Sequence, residues 1–95
     1  MTVKIIMERT VRPDQQGELL LLLRQLRMRA INQPGYITGE TLISIDKPGT
    51  QIVVSTWNSL PDWKAWENHP DRLEIANKIE ALLTAPTKVA VCEDV

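Results

Sequence analysis

His69 is the only histidine in the chain. It is also the side chain whose unperturbed pKa lies nearest neutrality, which makes it the natural candidate for proton transfer. Its setting, Asn68-His69-Pro70-Asp71, supports a plainer reading as well, that of a solvent-exposed loop residue beside a proline. Trp66 stands three residues before it. A flat indole wall there suits an aromatic ligand, and it suits ordinary packing equally. Trp57 ends a strand and reads as core that could also line a pocket, while Trp63 reads as a packing or surface residue. Tyr36 opens a strand and could donate a hydrogen bond to a substrate oxygen. Arg9 interrupts an apolar strand face, where pairing with Glu8, Glu40 or Glu93 is the expected structural role and anion binding the alternative. Arg72 reads as a solvated charge at the rim of any pocket.

Several other chemistries find no support. There is one cysteine, Cys92, so neither an intrachain disulfide nor a thiolate metal cluster can form. It reads as a small buried apolar residue. No glycine-rich phosphate loop and no nucleophile–base pair of telling spacing occurs. Eleven basic residues are balanced by twelve acidic ones, for a net charge of −1; nucleic-acid binders carry a clustered basic excess, so none is expected as a partner. The longest apolar run, Leu19–Leu23, is far below the ~20 residues that cross a bilayer. Met1-Thr2-Val3-Lys4 lacks the apolar core of a signal peptide, so a cytoplasmic protein with no membrane partner is expected.

These residues need a scaffold, and 95 residues allow one domain, spanning 1–95. Val3–Val11 alternates as a strand, with Val3, Ile5, Met7 and Val11 on one face. Arg12-Pro13-Asp14 opens a helix expected to reach Asn32, with Leu19, Leu22, Leu23, Leu26 and Ala30 as its buried stripe. Pro34-Gly35 stops it. Tyr36–Asp46 and Gln51–Asn58 read as strands joined by the turn Lys47-Pro48-Gly49-Thr50. Ile52, Val53 and Val54 are consecutive apolar residues, so both faces of the third strand should be covered. Ser59 and Asp62 form a helix start. Pro70 breaks that helix, and a second segment should run to Thr84 with Leu73, Ala76, Ile79, Leu82 and Leu83 inward. Thr87–Glu93 is the last strand. The order predicts an α+β, ferredoxin-like βαββαβ fold: a four-stranded antiparallel sheet with helices on one face. The open face carries Ile, Val and Leu, which predicts a homodimer through that face.

Three segments carry a family resemblance. Gln33-Pro34-Gly35-Tyr36, Asp46-Lys47-Pro48-Gly49, and Ser55-Thr56-Trp57-Asn58-Ser59 followed by Trp63-Lys64-Ala65-Trp66 resemble the antibiotic-biosynthesis-monooxygenase superfamily in order and spacing over nearly the whole chain. That resemblance implies a dimeric α+β barrel and, for enzymatic members, a pocket between sheet and helices in each subunit. Some members oxidise aromatic polyketides or quinols with molecular oxygen and no metal or flavin. Others bind and degrade haem. Many members have His nine residues after the strand-end Trp, where this chain has Trp66. Haem-degrading members also carry Trp there, but pair it with a His ten residues further on and an Asn in the first strand. This chain has Ala76 and Met7-Glu8-Arg9 at those places.

The expectation is therefore a cofactor-independent monooxygenase of a small aromatic or quinol substrate. Trp57 and Trp66 would line its pocket, with His69, Arg72, Tyr36 and Arg9 as polar candidates. A non-catalytic small-molecule-binding dimer is the alternative, and a haem protein the third reading.

Overall fold

Alternation in the first strand sets the architecture. Val3, Ile5, Met7, Arg9 and Val11 are buried in turn, while the residues between them are less so, the period-two signature of a strand covered on one side. The computed structural model describes residues 2–95. Strand β1 (Val3–Thr10) leads through a short 3₁₀ turn (Pro13–Gln15) into helix α1 (Gln16–Ala30). Strands β2 (Tyr36–Ile43) and β3 (Thr50–Trp57) follow, then helices α2 (Leu60–Glu67) and α3 (Pro70–Glu80), and strand β4 (Lys88–Glu93). The four strands form one antiparallel sheet in the order β2-β3-β1-β4, the predicted α+β ferredoxin-like fold.

Local chemistry places the joints. Pro48-Gly49 makes the predicted turn: Thr50 N donates to Lys47 O at 3.1 Å, and Gly49 sits at φ +86°. A side chain at Gly49 would run into the Val11 carbonyl, so only glycine fits. Ser59 caps α2, its Oγ accepting from Asp62 N at 3.3 Å and donating to Asp62 Oδ2 at 2.9 Å. Asn68-His69-Pro70 breaks α2 from α3 as expected.

The structure corrects several expectations. Strand β2 ends at Ile43 rather than Asp46, because the Ser44 hydroxyl accepts from Lys47 N at 3.0 Å and turns the chain early. Helix α1 ends at Ala30, two residues before Asn32. Its stripe is buried at Leu19, Leu23 and Ala30, with Leu22 and Leu26 only partly covered. Helix α3 ends at Glu80, because Leu83 pairs with Val11 and Thr84 N donates to Thr10 O at 2.9 Å. Its buried residues are Ile75 and Ile79, while Leu73 is exposed; the break at Pro70 resets the helical phase. Strand β4 lies at the sheet edge, so Cys92 is exposed rather than buried. Ile52 and Val54 are half-covered on the open face.

Beneath the helices the core forms two clusters. One is aliphatic: Val11, Leu19, Leu23, Ile75 and Ile79. The other carries Trp57, Trp63 and Trp66 over Val3, Ile5 and Met7. Leu26 and Val53 touch both.

Candidate functional site

A cavity of about 60 Å³ lies where the two clusters meet. Its floor comes from the covered face of the sheet. Register places Met7 opposite Val53 and Arg9 opposite Gln51, so strand alternation aims Met7, Arg9 and Val53 at one space. Leu23, Leu26 and Ala30 of α1 form one side, and Trp63 and Trp66 of α2 another. Their three-residue spacing puts both indoles on one helix face. Arg27, Glu40 and Thr41, all exposed, stand at the mouth.

Tyr36 also lines the cavity. Its ring meets Trp57 edge-on at 5.4 Å between centroids. Its hydroxyl lies over Gly39, where an added Cβ would sit 2.7 Å from the phenolic oxygen. Glycine in mid-strand thus makes room for the phenol beside the cavity.

The polar groups inside are cations and unmatched donors. Arg9 is only 3% exposed, and its one hydrogen bond runs from Nη2 to the Met7 thioether at 3.2 Å. Its Nε is buried without a partner, and so is Trp63 Nε1. Arg72 is half-buried; it donates from Nη1 to Glu67 O at 3.1 Å and stands 5.4 Å from the Trp63 ring centroid. Burial, helped by the charge of Arg72 and opposed by Glu80, lowers the Arg9 pKa from its ordinary value to about 10. Burial also lowers that of Arg72, against the pull of Glu67 and Glu80. Arg9 therefore keeps its charge at neutral pH, without a salt-bridge partner.

The structure brings Trp66, Tyr36, Arg9 and Arg72 to this one space. Trp57 lies behind it, fully buried, with Nε1 donating to Ser55 Oγ at 3.1 Å. His69 lies outside the lining. Its Nδ1 caps α3 by accepting from Asp71 N at 3.0 Å, and its ring sits 5.5 Å from that of Trp66. Two readings of the arginines need correction. Arg9 forms no ion pair: Glu8 and Glu40 are on the opposite sheet face, Glu93 is at the far end opposite Val3, and Glu8 pairs instead with Lys88 at 3.6 Å. Arg72 is not a freely solvated charge, since it lies over Trp63. Trp63, read as packing or surface, is a wall of the site; its signal was the spacing shared with Trp66. Among the described residues, no group of three or more His, Cys, Asp or Glu is placed to hold a metal ion.

Comparison with known proteins gives the family and the fold. The sequence profile of the antibiotic biosynthesis monooxygenase family matches residues 2–78. Protein SchA of Streptomyces halstedii is 27% identical over 78 residues, which is 82% of this chain and 20% of that protein. The chain thus spans about a fifth of the length of that relative. The structure of SnoaB, a cofactor-independent oxygenase from Streptomyces nogalater, superposes with a TM-score of 0.82 at 19% identity, covering 99% of this chain and 95% of that one. Rv0793 from Mycobacterium tuberculosis superposes with a TM-score of 0.90 at 22% identity, covering 100% and 96%. At such identities these likenesses establish the shared fold. With the profile matching most of its length, this chain belongs to the antibiotic biosynthesis monooxygenase family.

Proposed function

We propose that the protein is a cofactor-independent monooxygenase whose substrate is a small aromatic or quinol held in the cavity beside Trp66. The observation that carries this reading is the cavity itself. Three aromatic residues, Tyr36, Trp63 and Trp66, converge on a space whose other walls include Met7, Leu23, Leu26 and Val53, an apolar lining with a few polar groups that suits a flat ligand. Family membership supplies the reaction class. In such a reaction a ring carbon bearing two hydrogens is oxidised by O₂. One oxygen atom becomes the new carbonyl oxygen, and the other leaves as water with both hydrogens. The chain's share is to bind the ring, exclude water and hold the deprotonated carbon where oxygen can reach it. The part we assign His69 is to cap α3.

A second reading, binding without turnover, is favoured by the lining's lack of histidine. The same lack argues against haem binding, since no imidazole faces the cavity. Oxygen uptake by the metal-free protein with a panel of hydroquinones and anthrones decides. Uptake that falls in Trp66→Ala supports the oxygenase; no uptake across the panel favours the binding protein.

We also propose that two copies pair through the open sheet face, where Ile52 and Val54 are half-covered and Leu42 exposed. Light scattering at micromolar concentration is expected to return twice the chain mass. A monomer would end this proposal.

A further inference from the structure

We infer that the cavity takes an aromatic carboxylate, its ring against the indoles and its carboxylate received by the guanidinium groups of Arg9 and Arg72. This rests on the reading of the cavity as a binding site for an aromatic and names the chemical class of its occupant. Three arginines line the space, and the one glutamate of the lining, Glu40, belongs to the opposite sheet face, although the whole chain carries a net charge of −1. The positive charge is therefore local to the cavity. It is also unanswered there. Glu80 and Glu67 act on the two inner arginines from a distance, yet no carboxylate forms a salt bridge with either, among the described residues.

The unmatched atoms point the same way. Arg9 Nε and Trp63 Nε1 are both donors, both buried and both without partners, and both residues line the cavity. Buried donors are almost always satisfied, so two orphans on residues of one lining mark a region short of acceptors. Gln51, across the strand pair from Arg9, has both amide atoms unpartnered as well. An unpaired buried cation destabilises the empty fold, and an entering anion would remove that cost. A neutral phenol would have to lose its proton before answering the two guanidinium charges. A carboxylate arrives charged, and its two oxygens match the planar forks of guanidinium groups. The surrounding Trp63, Trp66, Leu23 and Leu26 require an apolar body behind that charge.

The test is calorimetric titration of the full chain at neutral pH with three ligands of one ring size: 1-naphthoate, 1-naphthylmethanol and 1-naphthol. Naphthoate is expected to bind about tenfold or more tighter than either neutral ligand, as charge-assisted hydrogen bonds allow. Arg9→Met and, independently, Arg72→Met should each remove most of that preference, with circular dichroism reporting that both fold. Equal affinities, a preference for naphthol, no binding of any ligand, or a preference that survives both substitutions would overturn the inference. The two readings fail separately. Quinol-dependent oxygen uptake without a carboxylate preference sinks only this one, and the preference without uptake sinks only the oxygenase.

Discussion

Two halves of the space beneath the helices share helix α1 and strand β3, yet they are finished differently. Around Val11, Leu19, Leu23, Ile75 and Ile79 the packed side chains are aliphatic. Around Trp63 and Trp66 the packing stops short and leaves a cavity that contains Arg9. The first half contributes to stability in the ordinary way, by removing apolar surface from water. The second gives some of that up, because a buried guanidinium has lost water without gaining a carboxylate. One α/β layer thus supplies a rigid support and, beside it, a space with unmet chemical demand. Sites on packed elements hold their geometry better than sites on loops.

The contrast can be broken from either side. Ile79 is fully buried, and Ile79→Ala should cost about 2–5 kcal/mol in urea unfolding. Its effect on ligand affinity, measured on the folded protein, should be small; a large effect would mean that the two halves are not separate. Arg9→Met should act in the opposite direction, raising the stability of the ligand-free protein by roughly 1–4 kcal/mol.

The pH dependence of that gain follows from the sign of the shift. Arg9 is held below its ordinary pKa, at about 10, so the native state binds fewer protons than the unfolded state only above that value. The penalty is therefore present in full at neutral pH, and the gain of Arg9→Met should be flat there. It should shrink as the pH rises above about 10 toward the ordinary arginine range. A variant less stable than the parent near neutrality would show that Arg9 holds the fold together.

The smallest effect is expected at His69. Loss of its cap in His69→Ala should cost about 1 kcal/mol, whereas His69→Asn keeps a capping side chain and most of that stability. Oxygen uptake by His69→Asn should match the parent. A clear fall in uptake with stability retained would restore His69 as a proton-transfer group.

Much of the fold was legible because it rests on local rules. Alternation gave β1, proline and glycine gave the turns, and Ser59 with Asp62 gave the start of α2. The misread places are those where a distant contact overrides local preference. Helix α3 has a good helical pattern up to Thr84, but Leu83 and Thr84 are taken by the end of β1. Cys92 has the chemistry of a core residue, and its place on an edge strand, opposite Lys4 on the open face, exposes it. The site divides in the same way. Trp66 and Tyr36 were recognisable as ring walls from their types and positions. Trp57 has the same chemistry as Trp63, yet register puts the first behind the cavity and the helix face puts the second in its wall.

The sequence by itself determined the element order, the turn at Pro48-Gly49, the paired indoles three residues apart and the family. Each of these depends on residues near one another in the chain, or on their order along it. Only the tertiary structure decided that Arg9 has no carboxylate within reach and that Arg72, sixty-three positions away, lies near enough to act on its charge. Whether a charge is paired depends on which strands are neighbours and in what register, and no local spacing contains that.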